Sequence, residues 1–196
     1  MRRAAVTVAI AVHDRNVDSL RGSLLIAGPT LFDPNFRRTV ILVGEHTDEG
    51  ALGVVLNRPS DLKVGDIAPP LANVIDPDEL MFFGGPVQPE AVVVLAEFDQ
   101  PERAEMLVLD RIGFLIGEVD PERTGPIARA RAFAGYTGWG PGQLEEELAG
   151  SAWLSEPAGP TDVFAPHDED LWRAAVRRLG KGFETLSLMP FDPTLN

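Results

Sequence analysis

The feature that most constrains this fold is a succession of short apolar runs, each ended by glycine, proline or polar residues. Each run is four to eight residues long and rich in β-branched side chains, which is typical of buried strands rather than helices. The runs cover residues 23–28, 39–43, 51–57, 81–85, 91–98, 106–109 and 113–119, and a further candidate covers 130–139. The chain is therefore predicted to build a sheet from short strands.

Two helical patterns lie in the last third of the chain. Residues 168–180 begin with acidic side chains, end with arginines and finish at Gly180, which suits the position just beyond a helix. The stretch PGQLEEELAG at 141–150 is shorter and places Leu144 and Leu148 one turn apart. Because strands come first and helices are concentrated in the C-terminal third, the pattern predicts an α+β fold rather than regular βαβ alternation.

Length and composition favour a single globular domain. The 196 residues are 44% hydrophobic and include no cysteine, which excludes disulfides, a thiolate nucleophile and Cys-ligated metals. A formal net charge of −13 argues against nucleic-acid binding, and no apolar run is long enough to span a membrane. We interpret residues 1–20 as a loosely ordered or strand-like N-terminal extension, because the apolar run before Ala9-Ile10-Ala11 is too short for a secretory signal. The domain then covers 21–196.

The stretch GPTLFDPNFRRTVILVGEH at 28–46 contains side chains that suggest a site, namely Asp33, Asn35, Arg37, Arg38, Glu45 and His46. Asp33 followed by Pro34 has the form of a helix start, so we expect Asp33 to be structural and a single helical turn to follow. TVILVGEH and ALGVVLNRP flank the turn Thr47-Asp48-Glu49-Gly50 and read as a hairpin. If His46 faces Ala51, then Asn57 faces Val40, and the polar residues divide between the two ends.

The open end of this hairpin collects Arg37, Arg38, Asn57 and Arg58, an unusual density of donors for an acidic chain. One interpretation is a pocket for a small anion or carboxylate, such as a phosphorylated molecule. The alternative is that these side chains cap strand ends and pair with some of the 30 acidic residues. Both interpretations remain open at this point.

His46 is the weak catalytic candidate. It cannot form a dyad with Glu45, because adjacent residues of a strand point to opposite faces. The three histidines show no metal-ligand spacing, so we expect no metal and no cofactor. The glycine-rich turn at 138–142 could cradle a phosphate, but Pro141 and the following glutamates favour a packing turn around Trp139.

Several of these blocks together resemble the AlgH/YqgE family of bacterial proteins. They are GSLLIAGPTLFDPNFRRTVILVGEH, GALGVVLNRP, FFGGPV, AGYTGWGPGQLEEEL and DLWRAAVRRLG, in the family's order over about residues 22–180. The resemblance implies a cytoplasmic, single-domain α+β fold with a mixed, strongly bent sheet, and it supplies no catalytic residues. Gly44 departs from the larger residue expected before Glu45.

Three functions follow from these observations. The first is a non-catalytic binding or regulatory module, which the family name links to transcriptional control, with an unknown small anion or protein as partner. The second is a hydrolase or transferase whose site includes His46. The third is a direct DNA-binding regulator, which the acidic charge and the lack of a helix-turn-helix pattern disfavour.

Overall fold

The computed structural model describes residues 19–104, 106–115, 125–166, 170–180 and 182–188. Most of the predicted N-terminal extension, up to residue 18, lies outside these ranges. The strands are β1 (Ser23–Ala27), β2 (Val40–Thr47), β3 (Gly50–Val55), β4 (Pro59–Lys63), β5 (Leu80–Phe83), β6 (Val87–Phe98), β7 (Met106–Leu109), β8 (Ile112–Leu115), β9 (Ile127–Trp139) and β10 (Trp153–Pro157). The helices are α1 (Val64–Ile67), α2 (Gln143–Ala149), α3 (Pro160–Val163), α4 (Leu171–Arg178) and α5 (Glu184–Ser187), with 3-10 helices over Pro69–Asn73 and Pro101–Arg103.

The strands form one open, mostly antiparallel sheet in a single domain. Its order is β10-β1-β2-β3-β9-β6-β8-β7, and every neighbouring pair along this path is antiparallel. β5 adds to β9 in the parallel sense and carries β4 on its other side. The sheet is therefore mixed, as expected, and the α+β class is confirmed.

A bulge at Gly44 shapes the β2–β3 hairpin. His46 lies opposite Ala51, as predicted, but the register shifts between Val43 and Glu45. Beyond that point the backbone N–H of Leu56 donates to the carbonyl of Val40, so the expected pairing of Val40 with Asn57 is wrong by one residue. The sequence offered no sign of the bulge apart from Gly44 itself.

Gly44 also explains how the sheet bends. A Cβ at this position would overlap the ring of Phe114 on β8, although β3, β9 and β6 separate β2 from β8 in the sheet order. The two strands must therefore face each other across the interior, and the sheet curls back on itself without closing. The close approach requires the smallest side chain, which accounts for the departure from the larger residue expected there.

The hydrophobic core lies inside this curl. The larger cluster joins β1, β2, β3 and β9 to the C-terminal helices through fully buried side chains such as Leu25, Phe133 and Trp153. A smaller cluster under α1 contains Val64 and Met81. Burial of side chains of this size contributes about 1.5–3 kcal/mol each, so the core is the main source of stability.

Both predicted helices are present. α2 falls within 141–150 and ends at Gly150, while α4 falls within 168–180 and is followed by Gly180 with a φ of 83°. However, α1 and the 3-10 helix after it lie in the middle of the chain, so the expected concentration of helices in the C-terminal third is not confirmed. No helix in the described ranges is long and apolar enough to cross a membrane.

The predicted apolar runs contain strands, but two other strands were missed. The part of the 113–119 run that follows residue 115 lies outside the described ranges. β4 was missed because nearly all of it is exposed and polar. β10 was missed because only Trp153 among its five residues is fully buried, so it has no apolar run.

Candidate functional site

The two ends of the β2–β3 hairpin carry the polar residues that the sequence singled out. Val40 and His46 lie six residues apart on β2. At about 3.3 Å per residue, the open and closed ends are about 20 Å apart. They are therefore two separate places, and each must be judged by its own contacts.

At the closed end, His46 is held from both sides. Its side chain is only 10% exposed, and its Nε2 lies 2.7 Å from Oε1 of Glu145 on α2. The backbone N–H of Leu20 donates to Nδ1 at 3.1 Å. Because Nδ1 accepts a hydrogen bond, the ring proton must be on Nε2, where it is donated to the carboxylate.

This arrangement gives no support to a catalytic His46. A general base needs a ring nitrogen whose lone pair faces the substrate, and here one nitrogen accepts from Leu20 while the other donates to Glu145. The contacts instead tie α2 and the start of the described chain to the hairpin tip. The pKa of Glu145 is lowered, first by a hydrogen bond from its own backbone N–H and then by the hydrogen bond with His46.

The loop before β2 delivers two arginines to the open end. Asp33 accepts a hydrogen bond from the backbone N–H of Asn35 at 2.8 Å, and its carbonyl accepts from the N–H of Arg37 at 2.7 Å. The buried Thr39 hydroxyl donates to the carbonyl of Phe36 at 2.7 Å. Asp33 is therefore structural, as predicted, and its turn sets the position of the residues that follow.

Asn57 and Arg58 hold this loop against the end of β3. The Asn57 amide accepts from the N–H of Val40 and donates to the carbonyl of Arg38, each at 2.9 Å. Arg58 donates through Nη2 to the carbonyl of Arg37 at 2.5 Å. Because both polar atoms of the Asn57 amide bind backbone, the role of Asn57 is to position the loop.

The guanidinium groups of Arg38 and Arg58 are partly buried, and the charge of Arg37 acts on both of them. The pKa of Arg58 is lowered by burial and then by the charge of Arg37. The pKa of Arg38 is lowered by burial and then by Arg173 and Arg37, while Asp170 raises it. Like charges thus disfavour each other here, in addition to the cost of removing them from water.

The N-terminal end of α4 completes the surroundings of Arg38. The Arg38 guanidinium lies over the ring of Trp172, 4.7 Å from its centroid, and Arg38 has a positive φ of 55°. Trp172 is buried and donates through Nε1 to the carbonyl of Ala27 at 2.9 Å, which fixes α4 against β1. The sequence placed 168–180 on a helix but carried no local signal for this contact, so Trp172 and Arg173 were missed.

The fold and these blocks can now be compared with known proteins. The family model described as AlgH-like matches residues 24–184. The chain is 44% identical over 187 residues to a UPF0301 protein of Streptomyces coelicolor, covering 92% of this chain and 97% of the relative. The chain belongs to the AlgH-like family. A UPF0301 protein of Thermobifida fusca is 39% identical over 91% of this AlgH-like chain and 96% of its own length.

Two solved structures share the AlgH-like fold. A crystal structure of a protein from Corynebacterium diphtheriae matches with a TM-score of 0.75 and 30% identity, over 89% of this chain and 94% of that one. The solution structure of the AlgH protein from Pseudomonas aeruginosa matches with a TM-score of 0.65 and 31% identity, over 92% of this chain and all of that one. The family and the fold are therefore shown, and neither comparison names a ligand or a reaction.

The glycine-rich turn of this AlgH-like chain is a packing turn. The N–H of Gly140 is bound by the side chain of Gln143 at 3.1 Å. Glu147 accepts on one carboxylate oxygen from the indole N–H groups of Trp139 and Trp153, at 3.0 and 2.7 Å. These bonds hold α2 on the sheet and leave a carboxylate where a phosphate would need a donor.

No metal site is found in the part of the chain that the structure describes. No three carboxylate or imidazole side chains come together there as ligands. His13 and His167 lie outside the described ranges. The open end of the hairpin is thus the candidate functional site, and we call Arg37, Arg38, Arg58 and Arg173 the arginine cluster.

Proposed function

We propose that this AlgH-like chain is a non-catalytic binding module that takes a small anion at the open end of the β2–β3 hairpin. One observation carries the proposal: the partly buried guanidinium groups of Arg38 and Arg58 both lie near enough to Arg37 for its charge to lower their pKa values, in a chain of net charge −13. The repulsion between neighbouring guanidinium groups is reduced when one anion accepts hydrogen bonds from more than one of them.

The supports of the cluster favour binding over a purely structural role. Asn57 and Arg58 fix the backbone of Arg37 and Arg38 through hydrogen bonds of 2.5 to 2.9 Å. Trp172 supplies a flat surface below the Arg38 guanidinium. A site that holds its donors before the ligand arrives loses less conformational entropy on binding, which raises affinity.

The ligand of this proposal is small. The long-range field of a chain with net charge −13 repels a polyanion, so an extended nucleic acid would gain little from a local patch. A metabolite-sized anion needs only the short-range contacts of the cluster. A regulatory role in the cytoplasm, in which occupancy of this site changes binding to a protein partner, extends the same proposal.

A thermal-shift experiment tests the proposal. The purified chain is heated with inorganic phosphate, pyrophosphate and citrate at matched ionic strength, beside the double variant Arg38→Met and Arg58→Met. The matched control is Arg111→Met with Arg129→Met, which removes two exposed arginines that pair with Asp99 and Glu97. A ligand at ten times its Kd adds about 1.4 kcal/mol of stability, which is about 3–5 °C in a chain of this size.

We expect at least one anion to raise the melting temperature of the wild type and of the control, and to leave the cluster variant unchanged. The double substitution removes charge-assisted donors and keeps the apolar stems that pack locally. The proposal fails if no anion stabilises the wild type, or if the cluster variant responds as strongly as the control.

A further inference from the structure

Arg173 stands in the first turn of α4, next to the candidate site. The carboxylate of Asp170 caps this helix by accepting from the backbone N–H of Arg173 at 2.9 Å. The other oxygen of Asp170 is 3.6 Å from Nη1 of Arg173. Strong charge-assisted bonds of this kind are about 2.7–2.9 Å long, so Asp170 chiefly serves the helix end and neutralises Arg173 only weakly.

The Nε of Arg173 is the unusual atom of this region. It is buried from solvent and has no hydrogen-bond acceptor within the described ranges. Arg178, on the same helix, shows the ordinary arrangement. Its Nε donates to Glu156 at 3.0 Å and its Nη1 lies 2.9 Å from Asp162. Buried guanidinium donors are normally paired, so the group is not fully satisfied within the described fold, and the 35% of its side chain that is exposed can be reached by an acceptor from outside the chain.

The two sides of the cluster come from different elements. Arg38 is carried by the loop before β2 and lies on Trp172, while Arg173 follows Trp172 on α4. The charge of Arg173 lowers the pKa of Arg38, and the carboxylate of Asp170 raises it. An anion between them would accept from both guanidinium groups at once and reduce their mutual repulsion.

We propose that Arg173 is an additional binding residue of this site, and that with Arg38 it makes the site selective for a phosphate-type dianion over a monocarboxylate. The inference rests on the proposed anion-binding function. A carboxylate has two oxygens in one plane and one charge, so it suits a single guanidinium fork. A phosphate has oxygens in several directions and up to two charges, so it can bridge donors from α4 and from the loop.

Isothermal titration calorimetry with three probes tests this inference. The probes are inorganic phosphate, glycerol 3-phosphate and acetate, at equal ionic strength and neutral pH. The first two distinguish a free phosphate from a phosphoryl group on a larger molecule. The variants are Arg173→Met, Arg173→Lys and Arg38→Met, and the matched control is Arg177→Met, an exposed arginine of the same helix.

We expect phosphate or its ester to bind the wild type at least about tenfold more tightly than acetate, and Arg173→Met to lose about tenfold or more of that affinity, as is usual for a charge-assisted donor. Acetate affinity should change little in Arg173→Met. Arg173→Lys keeps the charge but lacks the Nε donor, so its phosphate affinity should lie between those of the wild type and Arg173→Met. The phosphate affinity of Arg177→Met should match that of the wild type.

A direct readout separates binding from a structural role. The Nε–H resonance of Arg173, assigned by its absence in Arg173→Lys, should move when phosphate is added to the wild type and stay in place with acetate. Suppose that phosphate binds the wild type, and that its affinity falls in Arg38→Met but is unchanged in Arg173→Met. The inference is then overturned and the proposed function stands. If none of the three probes binds the wild type, the inference fails, and the thermal-shift result with pyrophosphate and citrate decides the proposed function. If Arg173→Met does not fold, the resonance and Arg173→Lys decide the matter.

Discussion

Arg131 and Arg58 are both partly buried arginines at the sheet, yet their surroundings differ. Arg131 on β9 donates to the carbonyls of Val163 and Ala165 at 3.0 and 2.8 Å and lies over aromatic rings. Arg58 has one carbonyl partner and a second cation, Arg37, beside it. Burial lowers the pKa of both arginines and is the largest cause in each case.

Burial of a charge therefore does not by itself mark a binding site. For Arg131 the next cause is a carboxylate, Glu79, which raises the pKa, and only then the charge of Arg129 lowers it. For Arg58 the next cause is a cation. The sign of the neighbouring charge therefore distinguishes Arg131, which joins two parts of the fold, from Arg58 in the proposed anion site.

The largest effect on stability should come from Arg131→Met. The substitution leaves the carbonyls of Val163 and Ala165 without their donors, while the Met side chain keeps most of the stem volume. We expect the free energy of unfolding to fall by about 2–4 kcal/mol, measured by urea denaturation followed through tryptophan fluorescence. Arg177→Met, which removes an exposed arginine of α4, is the control and should cost less than about 1 kcal/mol.

The same measurement on Arg58→Met should give a much smaller change. The variant loses one hydrogen bond to the carbonyl of Arg37, but it also removes the repulsion between the two guanidinium groups. We expect the two effects to leave stability within about 1 kcal/mol of the wild type. If Arg58→Met is as destabilising as Arg131→Met, the two arginines have the same role, and Arg58 is a structural residue like Arg131.

Much of the fold was predictable because the information is local. A strand that is buried on both faces must be apolar along its length, so β1 and the first part of β2 appear in the sequence as runs of Leu, Ile and Val. β4 and β10 could not be found this way, because an exposed strand has no such run. The order of the strands depends on pairings between distant segments, such as β1 with β10, and no local pattern encodes them.

The candidate site divides in the same manner. Arg37, Arg38, Asn57 and Arg58 lie at one end of a hairpin, and hairpin geometry follows from a short turn between two strands. Arg173 reaches the cluster only because Trp172 is buried against β1. The partner of His46 likewise comes from α2, far along the chain. The sequence thus identified the residues that lie on the hairpin. Their partners on α2 and α4 are distant in sequence and are brought to the hairpin only by tertiary packing.

The smallest effect on stability should come from Glu145→Gln at the closed end of the hairpin, where the carboxylate of Glu145 accepts a hydrogen bond from His46. The depressed pKa of Glu145 means that its contribution to stability is fully present above about pH 4.5, its unfolded value, and is lost as the pH falls through the lower folded value. Gln keeps an oxygen that accepts from Nε2 of His46, so only the charge is removed. Glu145 is more than half exposed, and water weakens its interaction.

We therefore expect Glu145→Gln to melt slightly below the wild type near neutral pH, and the difference to shrink as the pH falls below about 4.5. Melting curves of both proteins between pH 3 and 7 measure this, with Glu146→Gln on the same helix as the control. A pH-independent difference would mean that the carboxylate acts through shape and not through charge. In that event the closed end of the hairpin would not be stabilised by charge. The sign of a neighbouring charge would then no longer distinguish the closed end from the arginine cluster, and it would no longer support the proposed anion site.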